Sequence, residues 1–540
     1  MSAAAKVDMG GGVQLERRVP CRLSDGITLY SDHYYSPAPG PHPTLLMRQP
    51  YGRDIASTVV YAHPAWFARH GYNVVIQDVR GRGDSEGDFY PFRHDARDGA
   101  ETIAWLRTRP ESNGLVGMYG FSYQGLTQLL AASEKPEGLV CIAPAMTACD
   151  LYNGWFYQGG ALRLSSTLGW GLQMLKADAR RRKLREASEL LERAWSNLPA
   201  QFLETPYASH PALAFADLPT YLRDWIEQDR PGDYWAALDV SQSLENIQIP
   251  ALHISGWYDT YLRGSVDGFN AMRAHAEHQY LVAGPWIHIP WRDAKLDTDA
   301  LHLRWFNHWL KGSREFAHEP PIRHFALNEE RWYSAEEFPS PTRTLYLHGG
   351  GRAESSKGDG TLNAVAPTTM EPPDIFVHDP EVPVASPGVG PASQATIELG
   401  NNVLVYTSTP LEFPLHVFGS VEADLYCATS APHADLIVKL ICLKPSGEAM
   451  FLAIGAARSS HLSDTPKRWC VRIDPTSCVF APGDCLRIEI ASSAFPLFDR
   501  NPSTAIAPRL ADSWTWRRST QVIFHDAERP SCIRIPVVPA

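Results

Sequence analysis

Leu115-Val116-Gly117-Met118-Tyr119-Gly120-Phe121-Ser122-Tyr123-Gln124-Gly125-Leu126-Thr127-Gln128-Leu129-Leu130-Ala131-Ala132 places an apolar run, a serine between glycines and a helical pattern in immediate succession. Leu115 to Tyr119 reads as a strand, Gly120 relieves crowding at a turn, and Thr127 to Ala132 continues as a helix. A strand running through a sharp turn directly into a helix lifts a side chain onto the strand end. The helix N-terminus then faces whatever charge develops there. That arrangement is a nucleophile elbow, and it points to Ser122. A rival, Gly83-Asp84-Ser85-Glu86-Gly87, matches the G-x-S-x-G pattern letter by letter, whereas Gly125 follows Ser122 one residue late. Ser85, however, follows the charged stretch Arg80-Gly81-Arg82-Gly83-Asp84 and precedes Phe89-Tyr90-Pro91, where no helix starts. It reads as a turn serine.

Outward from the elbow, short apolar runs alternate with helical patterns from Tyr30 to about Cys149, as a parallel sheet flanked by helices requires. Thr44 to Met47, Asn73 to Asp78 and Leu115 to Tyr119 read as strands, and Ala96 to Arg109 as a helix. The rhythm resumes with strands at Ile249 to Ile254 and Tyr280 to Ala283, separated by a helix from about Ser265 to Ala276. Between these blocks, residues 149–244 lose strand character and turn helical and aromatic-rich. Leu184, Ala187, Leu191 and Ala194 recur at helical spacing there, as in an inserted cap. Past Thr344 come a Gly-rich turn (Gly349-Gly350-Gly351) and a Pro-rich stretch from Pro367 to Pro391, read as an irregular connector. Alternating segments follow, with Leu415, Val417, Val421, Ala423 and Leu425 on one face, as in an antiparallel β-sandwich. The expected domains are an α/β domain in two parts, 1–148 and 245–345, a helical cap at 149–244, and a β-sandwich at 346–540.

A serine hydroxyl is a weak nucleophile until a base takes its proton, so a histidine and an orienting carboxylate must share its sheet edge. In an α/β sheet of this kind they follow in the chain order acid, then histidine. The strand ending in Gly256-Trp257-Tyr258-Asp259 and the next, ending in Gly284-Pro285-Trp286-Ile287-His288, supply them in that order. Both fall on the rim where open α/β sheets bind ligands. Asp267, His253, His275, His302 and His308 fall within or near helices and strands and are read as structural.

A tetrahedral intermediate needs two donors for its oxyanion. One expected donor is the N–H of Tyr123, the residue after the nucleophile. The loop expected to supply the other reads Arg48-Gln49-Pro50-Tyr51-Gly52-Arg53, in which Pro50 has no N–H to offer. Tyr51 is then either a hydroxyl donor or a packing residue. Tyr261, two residues past Asp259, and Trp155 in the cap are candidate substrate-pocket walls or plain core.

Composition narrows the function classes. The 540 residues are 44% hydrophobic and 20% charged, ordinary for a globular protein, and long enough for two or three domains. The formal charge of −11 is spread along the chain, which gives no footprint for nucleic acid or an anionic membrane. The basic run Arg180 to Lys183 lies in a helical pattern and reads as a solvated face. Met-Ser-Ala-Ala-Ala-Lys lacks the features of a secretory leader, and no run of about 18 apolar residues occurs, so a cytoplasmic location is expected. Nine Cys without a C-x-x-C pair fit neither a disulfide framework nor a zinc site and are read as reduced core residues.

Taken together, Arg48 to Arg53, Asp78 to Gly87, Gly120 to Gly125, Gly256 to Asp259, Gly284 to His288, Phe495-Pro496 and Arg500-Asn501 resemble the signatures of the cocaine esterase family of α/β-hydrolases. That family is related to X-prolyl dipeptidyl aminopeptidases, α-amino acid ester hydrolases and some cephalosporin acylases. The resemblance implies an α/β-hydrolase domain with an inserted helical cap and a C-terminal β jelly roll. It implies a Ser122, Asp259 and His288 triad, oxyanion donors at the Tyr123 N–H and the Tyr51 hydroxyl, and no metal or organic cofactor. The segment Ser386-Pro387-Gly388-Val389-Gly390 is shorter than the Gly-rich acyl-pocket loop of many members, so the resemblance names no acyl group. The expected enzyme is a carboxylic-ester hydrolase acting through an acyl-enzyme on a small molecule. An amide or peptide hydrolase of X-prolyl dipeptidyl aminopeptidase or β-lactam acylase type is the alternative, and a non-catalytic binding protein the third reading. Neither nucleic acid nor membrane is an expected partner, and the sequence leaves a homo-oligomer open.

Overall fold

A computed structural model describes residues 6–54, 58–289, 291, 296–386, 388, 390–460, 462 and 464–539. Met1 to Ala5, part of the stretch read for a secretory leader, and Pro387 and Val389 of the short loop lie outside the described residues. Among the described residues no helix is long and apolar enough to cross a membrane. The chain divides into two compact units, one of residues 1–154, 232–324 and 333–337, the other of 155–231, 325–332 and 338–540.

The first unit is built on a twisted sheet. Its strands are β1 (Val7–Asp8), β2 (Gln14–Arg22), β3 (Thr28–Tyr35), β4 (His42–Gln49), β5 (Asn73–Asp78), β6 (Ser112–Phe121), β7 (Leu139–Ala145), β8 (Ala251–Gly256) and β9 (Gln279–Gly284). They lie in the order β1-β2-β3-β5-β4-β6-β7-β8-β9, and the sheet continues past β9 with Ile322–Ala326 and Arg331–Ala335. From β5 to β9 every pairing is parallel, while β3 joins β5 antiparallel. A parallel sheet must be covered on both faces, and its strands read as near-continuous apolar runs. β5 and β8 are accordingly buried at every position. Helices α1 (Pro64–Arg69), α2 (Asp95–Arg107), α3 (Tyr123–Ser133), α4 (Leu262–Arg273) and α5 (Thr298–Lys311) belong to this unit. α2, α3 and α4 lie where the sequence pattern predicts helices, with ends shifted by a few residues. His253 is buried within β8, and His302 is buried on α5 with its Nδ1 2.6 Å from the Thr298 carbonyl oxygen, both structural as expected.

The second unit combines the aromatic helical segment with an all-β sheet of long antiparallel strands such as His433–Leu443 and Ala449–Ser460. Leu415, Val417, Val421, Ala423 and Leu425 are all buried, as their alternation predicts. Two expectations need correction. The Pro-rich stretch is not wholly irregular, because Asp374–His378 forms an edge strand antiparallel to Ser519–Phe524. Pro372, Pro373 and Pro380 flank it rather than interrupt it, as an edge strand tolerates. The cysteines are all free, but Cys470 is exposed rather than core.

Residues 155–231 are fastened to the β-strands by buried polar contacts. Gln158 Nε2 donates to Asp474 Oδ1 at 2.8 Å, the Leu162 N–H to Asp499 Oδ1 at 2.9 Å, and the Ser165 N–H to the Pro496 carbonyl at 3.1 Å. Asn501 Nδ2 donates to Asp435 Oδ1, and Arg458 bridges Asp435 and Asp499. The Phe495-Pro496 and Arg500-Asn501 motifs thus belong to this fastening.

Candidate active site

All the candidate groups of the first unit leave the C-terminal ends of parallel strands. Tyr51 follows β4, Ser122 follows β6, Asp259 follows β8 and His288 follows β9. The elbow has the expected local structure. Ser122 sits at φ 60°, ψ −125°, between the last residue of β6 and the first of α3. Its N–H donates to the Ala145 carbonyl at 2.8 Å, and its own carbonyl accepts from the Gly125 and Leu126 amides. The displaced second glycine also has a reason. A Cβ on Gly125 would stand 2.8 Å from Thr147 Cβ and 2.9 Å from the Ala145 carbonyl oxygen, so this residue lets α3 press onto the end of β7. Gln128, one turn further on, donates to the Gly120 carbonyl at 3.0 Å and accepts from the Ala143 N–H at 2.9 Å, sewing α3 to both strands.

The acid and base loops are brought together by a shared tryptophan. A Cβ on Gly256 would lie 2.2 Å from the Trp286 carbonyl oxygen, and one on Gly284 would lie 2.5 Å from the Trp286 ring. Gly284 at the end of β9 therefore makes room for the indole, and Gly256 at the end of β8 for the Trp286 main chain. The Trp257 N–H donates to the Gly284 carbonyl and the Tyr258 N–H to the Trp286 carbonyl, at 2.8 and 3.0 Å. With the loops tied this way, His288 Nδ1 lies 2.6 Å from Asp259 Oδ2, and His288 Nε2 lies 3.1 Å from Ser122 Oγ. The carboxylate side chain is fully buried, and its other oxygen accepts the Tyr261 N–H at 2.7 Å. An ionised carboxylate on Nδ1 fixes the tautomer that leaves Nε2 as the acceptor for the serine proton. Phe121 and Tyr261 pack against the imidazole at ring separations of 5.5 and 5.1 Å. Tyr261 thus stands beside His288. Trp155 belongs to the second unit, is 2% exposed, and packs with Phe156 and Trp170.

Tyr123 opens α3, so its N–H is at the end of the helix that carries the positive dipole. Its side chain does a separate job: the phenol is buried, donates to Asp95 Oδ2 at 2.5 Å and stacks on Phe92 at 4.6 Å. Burial, together with the Asp95 carboxylate, pushes that phenol well above its ordinary pKa. Asp95 in turn meets the fully buried Arg48 at 3.2 Å. Tyr51 is half-buried, with Pro50 before it and Gly52, at φ +103°, after it. Ser85 occupies no elbow; its Oγ donates to the Asp78 carbonyl at 2.7 Å and accepts from the Tyr30 N–H at 2.9 Å. Reading the sequence by motif missed Gln49, Arg53 and Asp78, which the fold gathers around Tyr51. Their sequence signals were the Arg48 to Arg53 and Asp78 to Gly87 motifs themselves, neither of which gave a partner for its polar members.

Residues 25–290 match the family described as X-Pro dipeptidyl-peptidase (S15 family), and residues 314–534 the X-Pro dipeptidyl-peptidase C-terminal non-catalytic domain. The chain is 31% identical to a cocaine esterase of Rhodococcus sp. (strain MB1 Bresler), over 98% of this chain and 99% of that one. Among solved structures it is similar to an aminopeptidase from a marine sediment Thaumarchaeota archaeon, with a TM-score of 0.81 at 21% identity over 98% and 97% of the two chains. It is also similar to an α-amino acid ester hydrolase, with a TM-score of 0.79 at 22% identity over 99% and 98%.

Proposed function

The chain belongs to the cocaine esterase family of serine hydrolases, and from that premise we propose that it cleaves a carboxylic ester of a small molecule through an acyl-enzyme intermediate. What chiefly supports this reading is the hydrogen-bonded succession Asp259 Oδ2, His288, Ser122 Oγ at 2.6 and 3.1 Å. His288 Nε2 takes the hydroxyl proton as Ser122 Oγ attacks the ester carbonyl, and Asp259 stabilises the imidazolium that forms. The negative charge passes to the carbonyl oxygen, which the Tyr123 N–H and the Tyr51 hydroxyl stabilise. His288 then gives its proton to the departing alcohol. Water repeats the sequence on the acyl-enzyme, releasing the carboxylic acid and restoring the Ser122 hydroxyl. Tyr261 is a pocket wall in this reading. The domain limits expected from the sequence go with it.

The match of residues 25–290 to an X-Pro dipeptidyl-peptidase family favours amide cleavage as the second reading, because the same groups serve both bonds. A panel of esters paired with amides of identical acyl groups separates the two. Values of kcat/KM at least about 100-fold higher for the esters, on the order of one missing transition-state interaction with the amides, are expected. An equal or higher value for an α-amino acyl or X-prolyl amide adopts the second reading instead.

A further inference from the structure

The turn carrying Tyr51 lies between a proline and a glycine, so regular secondary structure does not fix where its phenol points. The turn is held from both sides by one buried carboxylate. Gln49 and Asp78 are register partners at the ends of β4 and β5. The Tyr51 N–H donates to Gln49 Oε1 at 2.9 Å, and Gln49 Nε2 donates to Asp78 Oδ1 at 3.2 Å. On the far side of the turn the Arg53 N–H donates to the same Asp78 Oδ1 at 2.9 Å, and Arg53 Nη1 reaches Asp78 Oδ2 at 2.5 Å. Arg53 also holds Asp32 through Nε at 2.8 Å and Asp84 through Nη2 at 2.7 Å. The stretch Arg80 to Gly87, which matches the nucleophile pattern yet supplies no nucleophile, backs this carboxylate. A Cβ on Gly83 would fall 1.9 Å from Asp78 Oδ2, and Ser85 binds the Asp78 carbonyl.

We propose that Gln49, Asp78 and Arg53 form a clamp that positions the Tyr51 hydroxyl for the oxyanion, with the Gly83-Asp84-Ser85 segment as its backing. This rests on the reading of Tyr51 as an oxyanion donor. The clamp holds the Tyr51 main chain through its N–H, and the oxyanion reading gives the developing charge to the phenol carried by that main chain. Charge-assisted bonds to a buried carboxylate are short and directional, and a misplacement of about 1 Å at a reacting centre costs on the order of 100-fold in rate. The clamp residues touch neither substrate nor Ser122 in this account. They act through Tyr51.

A double-mutant cycle tests it. Gln49→Met keeps the side-chain length and removes both hydrogen bonds, and Arg53→Lys keeps the charge but cannot serve three carboxylates at once. In the otherwise wild-type enzyme each is expected to lower kcat by about 10- to 100-fold with KM within about threefold, as befits loss of an interaction made in the transition state. In a Tyr51→Phe background the same changes are expected to lower kcat by less than about threefold, because the group they position is already gone. Equal losses in the two backgrounds, or none in either, overturn the clamp. Should Gln49→Met fail to fold, Arg53→Lys carries the test with the same outcomes. A Tyr51→Phe enzyme that keeps wild-type kcat overturns the oxyanion reading of Tyr51, a result distinct from equal losses.

Discussion

Ser122 holds a backbone conformation that L-residues with a Cβ rarely adopt, at a cost of roughly 1–3 kcal/mol. The hydrogen bonds of its N–H and carbonyl to Ala145, Gly125 and Leu126 keep it there. Ser122→Ala and Ser122→Gly should both abolish turnover and labelling by a fluorophosphonate. The glycine form alone escapes the strain, so urea unfolding should find it about 1 kcal/mol more stable than the alanine form. Labelling that survives in either variant removes Ser122 as nucleophile. Tyr51→Phe should lower kcat by about 10²–10³ and leave KM and the melting temperature nearly unchanged, because the phenol acts on the barrier while the ring keeps the packing. Retention of a third of wild-type kcat across several esters would make Tyr51 a packing residue. Ser85→Ala should keep the fluorophosphonate labelling that both Ser122 variants lose, while removing about 1–3 kcal/mol of stability, because the Tyr30 N–H loses its acceptor. Pattern matching alone ranks Ser85 first; what identifies Ser122 is the strand before it and the helix after it.

Among the elements, those with a clear period were legible and those held by distant partners were not. β5 and β8 could be placed because a strand buried on both faces must be apolar throughout, and α3 because its glycine and apolar spacing follow from packing on β7. The edge strand Asp374–His378 was hidden, since its prolines advertise a connector and its pairing partner lies in Ser519–Phe524. That strand begins at a buried charge cluster which carries its own prediction. His525, fully buried, sits 2.8 Å from Asp374 Oδ2 and 3.1 Å from Glu371 Oε2, and Glu371 also meets His348 at 2.8 Å. Burial pushes the His525 imidazole down, but Asp374 and Glu371 more than reverse this and hold it above its ordinary 6.5. Burial raises Glu371, but His348, the Gly349 N–H and His525 leave it below its ordinary 4.5. A raised histidine contributes stability fully below 6.5 and loses it as pH climbs through the folded value. A lowered carboxyl contributes fully above 4.5 and loses it as pH falls through its own. The cluster should therefore stabilise most between 4.5 and 6.5. The stability gap between wild type and His525→Gln, read by urea unfolding, should be wider at pH 5.5 than at pH 9. A gap that does not change between the two would mean that His525 gains nothing from its charge.

At the scale of the whole molecule, the α/β-hydrolase unit and the all-β character of the C-terminal region were legible because each writes a distinct period into the sequence. The fastening of residues 155–231 to the β-strands was not, because its contacts join positions as far apart as Leu162 and Asp499, and nothing local marks such a pair. The approach of Asp259 and His288 was legible only as chain order. The tryptophan that brings their loops together shows itself once Gly256 and Gly284 are seen to make room for it. Ser122, Asp259, His288, Tyr51 and Tyr123 all belong to one unit, so the proposed chemistry can be followed through its order of bond changes. If the route runs through an acyl-enzyme, esters that share an acyl group but differ in their alcohol form one common intermediate. For good leaving groups acylation outpaces deacylation. Their kcat values should then converge on one plateau while kcat/KM keeps rising with leaving-group acidity. Added methanol should divert a constant fraction of that intermediate into methyl ester, whichever alcohol left, and a rapid burst of the first product should match the active-site concentration. Values of kcat that follow the leaving group without a plateau, together with a methanol fraction that changes from ester to ester, would mean that water attacks the substrate directly and that Ser122 carries no acyl group.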